Sequence, residues 1–180
     1  MAFKPVTYDP KTDKVNHLKS SIYKIEDIQN RIDTDIFGPM AFWIFMLAVG
    51  LIIEFAGVPI AKLVGAPTSG IITVANYLLY LPGAIVLPLI VAVWVGERVG
   101  SVGKKVRLSL KVGLLNAIYV ALIYSIVIFI IYLIIYYIDA KALPVGFTID
   151  SFITNLIAIP VIIVLVLTPL ISSVSAARHS

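Results

Sequence analysis

Gly96-Glu97-Arg98-Val99-Gly100-Ser101-Val102-Gly103-Lys104-Lys105-Val106-Arg107-Leu108-Ser109-Leu110-Lys111 carries five of the chain's fourteen basic residues, and long apolar segments flank it on both sides. Lys and Arg cross a bilayer poorly, so a basic loop of this kind holds the inner ends of both neighbouring segments at the cytoplasmic face. The topology follows outward from it. The apolar segments predict four transmembrane spans at about 39–57, 71–95, 112–138 and 151–172, with loop 96–111 and tail 176–180 on the inner side. Six more Lys and Arg precede the first span and one lies in the tail, whereas the two outer loops hold only Lys62 and Lys141. That asymmetry predicts both termini in the cytoplasm. The expected fold is an all-α integral membrane protein: four transmembrane helices, N-in and C-in, preceded by a cytoplasmic amphipathic helix.

Composition agrees with a cell-membrane location. The 180 residues are 60% hydrophobic and 13% charged, with a mean hydropathy of +1.02; soluble domains carry nearly twice that charge. The net charge of +4 sits beside apolar spans and accompanies no nucleic-acid-binding motif, so the expected contact is lipid headgroups and not nucleic acid. There is no Cys, which excludes disulfides, thiolate metal sites and iron–sulfur clusters. The polar first 36 residues lack the apolar core of a signal peptide, so the first span is expected to direct insertion. The lack of Cys and the single Gln, Gln29, match the thermolabile-residue avoidance of hyperthermophiles, and suggest an archaeal source.

Ahead of the first span, a helix is expected over about 13–36, with Asp13 as its N-cap. Val15, Leu18, Ile22, Ile25, Ile32 and Ile36 fall at the a and d positions of a heptad, and Gln29 is the one polar a position. Two placements fit this narrow seam: against the membrane surface or under the bundle, or against a partner as a docking helix or short coiled coil. Pro39 suits the first turn of the span that follows. Trp43 and Trp94 are expected at the inner aromatic belt, and Tyr136 and Tyr137 at the outer one.

Few residues are placed for chemistry. The central glycines and lysines depart from a phosphate-binding loop, which needs G-x-x-x-x-G-K-[ST]; here Lys105 stands where the hydroxyl should be. Lys104, Lys105 and Arg107 remain candidates for binding a lipid headgroup phosphate, or form a solvated loop. The only histidines, His17 and His179, lie outside the spans, so no cofactor and no metal site is expected.

Glu54 is the one carboxylate well inside an apolar run. Seventeen residues of helix from Phe37 rise about 25 Å, which puts it near the outer boundary. It reads as an interfacial carboxylate near Lys62, an intramembrane ion or proton site, or a contact between subunits. The second and fourth spans share a loose pattern: Asn76, Pro82 and Pro88-Leu89-Ile90 in one, Asn155, Pro160 and Pro169-Leu170-Ile171 in the other. Matching broken helices of this kind can expose carbonyls to an ion in transporters. Tyr119, Tyr124 and Tyr132 point around the third span, which asks for neighbours on more than one side.

With no catalytic constellation and little soluble mass, the leading expectation is a non-catalytic accessory subunit of a larger membrane complex. Its partners would be other integral membrane subunits, as in a respiratory or similar multisubunit enzyme. The alternatives are a small oligomeric transporter or channel using Glu54 and the broken spans, and a virion or envelope membrane protein.

Overall fold

The computed structural model describes residues 10–70, 74, 77, 81–138 and 153–179, without the side chains of 10–16, 54, 55, 58 and 135–138. Helix α1 is Pro10–Leu63, α2 is Leu87–Gly103, α3 is Val106–Ile138 and α4 is Ile159–His179. A π-helical turn, Pro82–Val86, leads into α2, and a second, Ile153–Ala158, leads into α4. Among the described residues, four helices are long and apolar enough to cross a membrane. This is a multi-pass helical membrane protein. Around the bundle the order is α1–α2–α4–α3; α1 and α4 stand on a diagonal, with no close backbone approach between them among the described residues.

Residues 13–36 and the first span are not separate elements. They form one helix of 54 residues, about 81 Å at 1.5 Å per residue against a hydrocarbon core of about 30 Å. It is helical already at Pro10, upstream of Asp13, since a proline costs little where the N–H has no helical partner. Pro39 lies inside it and removes only the bond to the Asp35 carbonyl. Gly38 precedes that proline and has no Cβ, which relieves part of the usual clash between a proline ring and the residue before it. Packing holds the helix straight through: Ile28, Ile32, Ile36, Met40, Trp43, Leu47 and Leu51 are buried, at intervals of three or four that keep one face inward.

The central basic stretch is also mostly helix. Gly96, Gly100 and Gly103 belong to α2, and the expected loop 96–111 shrinks to Lys104 and Lys105. Those glycines serve close approach instead of a turn. A Cβ on Gly96 would lie 2.8 Å from Ile171 Cβ and 2.9 Å from the Thr168 carbonyl oxygen; one on Gly100 would lie 2.6 Å from the Ser172 carbonyl oxygen and against Ser175 Cβ. Gly113 of α3 meets Ser172 and Pro169 in the same way. Where lipid removes the hydrophobic drive between helices, small residues let backbones pack by van der Waals contact. Lys104 takes the left-handed conformation with φ 50°, and its N–H reaches the Gly100 carbonyl at 3.3 Å, closing α2 so that α3 can begin at Val106.

The remaining bounds shift modestly. α3 starts six residues before the expected 112, and α4 continues to His179. The loop expected from Asp139 to Asp150 and the side chains of Tyr136 and Tyr137 lie outside the described residues.

Candidate functional site

At the centre of the bundle each helix supplies one member of a four-part contact. Trp43 of α1 and Tyr124 of α3 stack with ring centroids 3.6 Å apart and planes within 11°. Trp43 Nε1–H donates to the Gly83 carbonyl at 3.2 Å, and Tyr124 O–H donates to the Leu156 carbonyl at 2.6 Å. Both acceptors lie in the π-turns, and both are left wanting by a proline. In a π-turn the Gly83 carbonyl would take the N–H five residues on, at Pro88, which has none. The Leu156 carbonyl lies near the junction with α4, and its α-helical donor would be Pro160, which has none either, so the α-helical bond is lost there. Each aromatic donor therefore replaces a missing backbone N–H, where an orphaned carbonyl would be costly in lipid.

Trp43 is thus a core residue and not a belt residue: it is fully buried, whereas Trp94 is half exposed. A hydrogen bond from its indole satisfies the one polar group that burial would otherwise strand. The second and fourth helices are each entered through a π-turn followed by a proline, Pro88 in one and Pro160 in the other, and α4 runs on unbroken through Pro169. The two carbonyls are bonded within the bundle and not turned to an open cavity.

A second polar contact joins α1 to α3 nearer the end of the bundle where Lys104 and Lys105 lie, here called the basic end. Gln29 and Asn116 exchange a reciprocal amide pair at 2.9 and 3.0 Å. Asn116 Nδ2 also donates to the Val112 carbonyl at 2.8 Å, and Gln29 Nε2 to Asp33 Oδ1 at 2.6 Å, so both N–H bonds of each amide are used. Asn116 is fully buried. A buried polar pair of this kind fixes register between two helices. Beside it opens a groove of about 570 Å³ between α1 and α3. At the same end, Arg98 of α2 pairs with Asp35 of α1 at 2.5 Å, both half exposed.

The headgroup candidates Lys104, Lys105 and Arg107 are all exposed, clustered at the two-residue turn and the first turn of α3. The heptad seam divides. Ile32 and Ile36 are buried in the chain's own bundle and Ile25 is half-buried, whereas Leu18 and Ile22 are exposed. Val15 lies on α1 with its side chain outside the described residues. Glu54 is likewise a residue of α1 whose side chain is not described. Among the described residues no group of three His, Asp or Glu could hold a metal ion, and His179 Nδ1 lies 2.8 Å from the Ser175 carbonyl of its own helix.

Sequence reasoning missed the close contact of α2 and α4, although its signal was present. Gly96-x-x-x-Gly100 faces Thr168-x-x-x-Ser172-x-x-Ser175, a small-residue stripe on each partner. Across that contact Ser175 Oγ donates to the Glu97 carbonyl at 3.3 Å, and Ser172 Oγ donates to the Ser109 carbonyl of α3 at 2.6 Å. No family model, no curated protein and no solved structure matches this chain.

Proposed function

We propose that this chain is a non-catalytic integral subunit of a larger complex in the cell membrane, with both termini cytoplasmic and other membrane subunits as partners. The observation that carries the reading is the first part of α1. Leu18, Ile22 and Tyr23 are 64%, 57% and 69% exposed, and the helix begins to bury a face only at Ile25, which packs partly against the core. From His17 to Lys24 it runs about 10 Å with Leu18, Ile22 and Tyr23 uncovered among the described residues. An apolar stripe on a helix that outruns its own bundle is a docking surface for another chain. The orientation rests on the basic residues, which gather in the N-terminal segment and around Lys104.

A complex in which other chains hold the redox or catalytic groups, such as a respiratory or similar multisubunit enzyme, suits a subunit of this kind. The transport alternative draws less support, because the Gly83 and Leu156 carbonyls already accept bonds from Trp43 and Tyr124. The test is the mass and chain content of the particle extracted from native membranes in mild detergent. A large particle of several different chains is the expected result. A monomer or small homo-oligomer overturns the proposal. Loss of the partners in Leu18→Asp/Ile22→Asp, with the bundle still folded, would place the contact on the projecting helix.

A further inference from the structure

We propose that the groove between α1 and α3 binds a lipophilic organic cation, with the Asp33 carboxylate facing its charge. The groove, about 570 Å³, is within the range of small-molecule sites. The Gln29–Asn116 pair and the Trp43–Tyr124 stack run α1 and α3 in the same direction, which puts Asp33 level with Ile118. Among the described residues that line the groove, Asp33 alone is charged. It is exposed, and among the described residues no Lys or Arg pairs with it. Gln29 Nε2 donates to its Oδ1 at 2.6 Å. That bond orients the carboxylate and uses only one of its about four acceptor sites.

The walls complete the recognition. Phe37 stands one turn beyond Asp33 on the same face of α1, and Tyr119 follows Ile118 on α3. Both rings line the groove and both are half exposed. The face of an aromatic ring attracts a cation, and most strongly where water is scarce. Leu122 carries the apolar wall on toward the bundle centre, so a ligand with its charge by Asp33 has a surface for its apolar body. A phosphate-bearing amphiphile is disfavoured by the same lining. The two cations of α3, Arg107 and Lys111, stand toward the basic end, Lys111 about 10 Å short of Ile118 along the helix, and neither lines the groove. An inorganic cation wants several oxygen ligands, and among the described residues no group of three His, Asp or Glu gathers. A transmembrane helix would meet the groove through small residues, and the lining holds no Gly, Ala or Ser.

The inference goes beyond the accessory-subunit reading and does not depend on it. The probes are tetraphenylphosphonium and tetraphenylborate, ions of nearly one shape and opposite charge. Each is titrated by equilibrium dialysis into the purified full-length chain in a non-ionic detergent, against protein-free micelles. The expected result is saturable binding of one tetraphenylphosphonium per chain and no saturable binding of tetraphenylborate. Asp33→Asn, which still accepts the Gln29 bond, should weaken the cation at least about tenfold, and Asp33→Glu should keep most of the affinity. Tyr119→Leu should weaken it about threefold, the loss of one cation–π contact. Asp27→Asn, at an exposed carboxylate of α1 that pairs with Arg31 and lies outside the groove, should change nothing. Equal affinity in the native chain and Asp33→Asn, saturable binding of both ions alike, or no saturable tetraphenylphosphonium binding would each overturn it. So would crosslinking of Leu115→Cys to another polypeptide in native membranes.

Discussion

Substituting Gly100 by Ala tests the close approach of α2 to α4. The added methyl would stand 2.6 Å from the Ser172 carbonyl oxygen and against Ser175 Cβ, where an unstrained carbon contact is about 3.5 Å or more. Backbone cannot rotate away as a side chain can, so α2 and α4 must part by nearly 1 Å. Overpacking of one methyl costs about 1–3 kcal/mol, and the rigid neighbour puts this site at the upper end. Parting also stretches the 3.3 Å bond from Ser175 Oγ to the Glu97 carbonyl, a kind of contact worth about 0.6 kcal/mol between membrane helices. The higher helix propensity of Ala returns up to about 1 kcal/mol. The net expectation is a loss of about 2 kcal/mol. Reversible unfolding in mixed micelles, followed by circular dichroism, measures it. Gly70→Ala serves as the control, since nothing lies within 4 Å of a Cβ there, and it should stay within about 0.5 kcal/mol of the native chain. Equal stability of Gly100→Ala and Gly70→Ala would refute the close-approach argument.

Tyr124→Phe keeps the stack on Trp43 but strands the Leu156 carbonyl, and should cost about 1–2 kcal/mol in the same unfolding assay; no loss would mean that the carbonyl finds another donor. Thr168 Oγ1 is buried with no hydrogen-bond partner among the described residues, so Thr168→Val should leave stability equal or raise it by up to about 1 kcal/mol. A double-mutant cycle of Gln29→Leu and Asn116→Leu should show coupling of about 0.5–2 kcal/mol, and additive losses would deny that the two amides act together. Lys104→Gly should stabilise by about 1 kcal/mol, because glycine adopts positive φ without strain. The Asp35–Arg98 pair is half exposed, so Asp35→Asn should shift the midpoint by less than about 1 kcal/mol.

Hydropathy made the four apolar helices readable in advance, because crossing a bilayer demands length and apolarity from every span independently. What could not be read is how those spans meet. Pro39 has the same letter whether it opens a helix or sits within one; the stripe from Ile28 to Leu51, buried by tertiary packing, decides that it sits within. The glycines of 96–103 read equally as turn formers or as contact points, and only the facing Thr168, Ser172 and Ser175 distinguish the two. Trp43 has a membrane-belt signature at its position in the chain, yet the proline-vacated carbonyl of Gly83 draws it inward. The amide pair of Gln29 and Asn116 joins residues 87 apart, and no local pattern reports such a partner.

The two aromatic bonds at the centre share an order along the chain that bears on biogenesis. A proline-broken helix leaving the insertion machinery exposes its unpaired carbonyl to acyl chains, a state that favours delay or misrouting. Here the donor is always synthesised before the acceptor that needs it: Trp43 before Gly83, Tyr124 before Leu156. The first helix of each hairpin can therefore stand ready as a chaperone for the second, completing its hydrogen bonding as it partitions into the bilayer. Each half completes its own aromatic hydrogen bond on arrival, and joining the halves adds the ring stack, the Gln29–Asn116 pair and the close packing of α2 on α4.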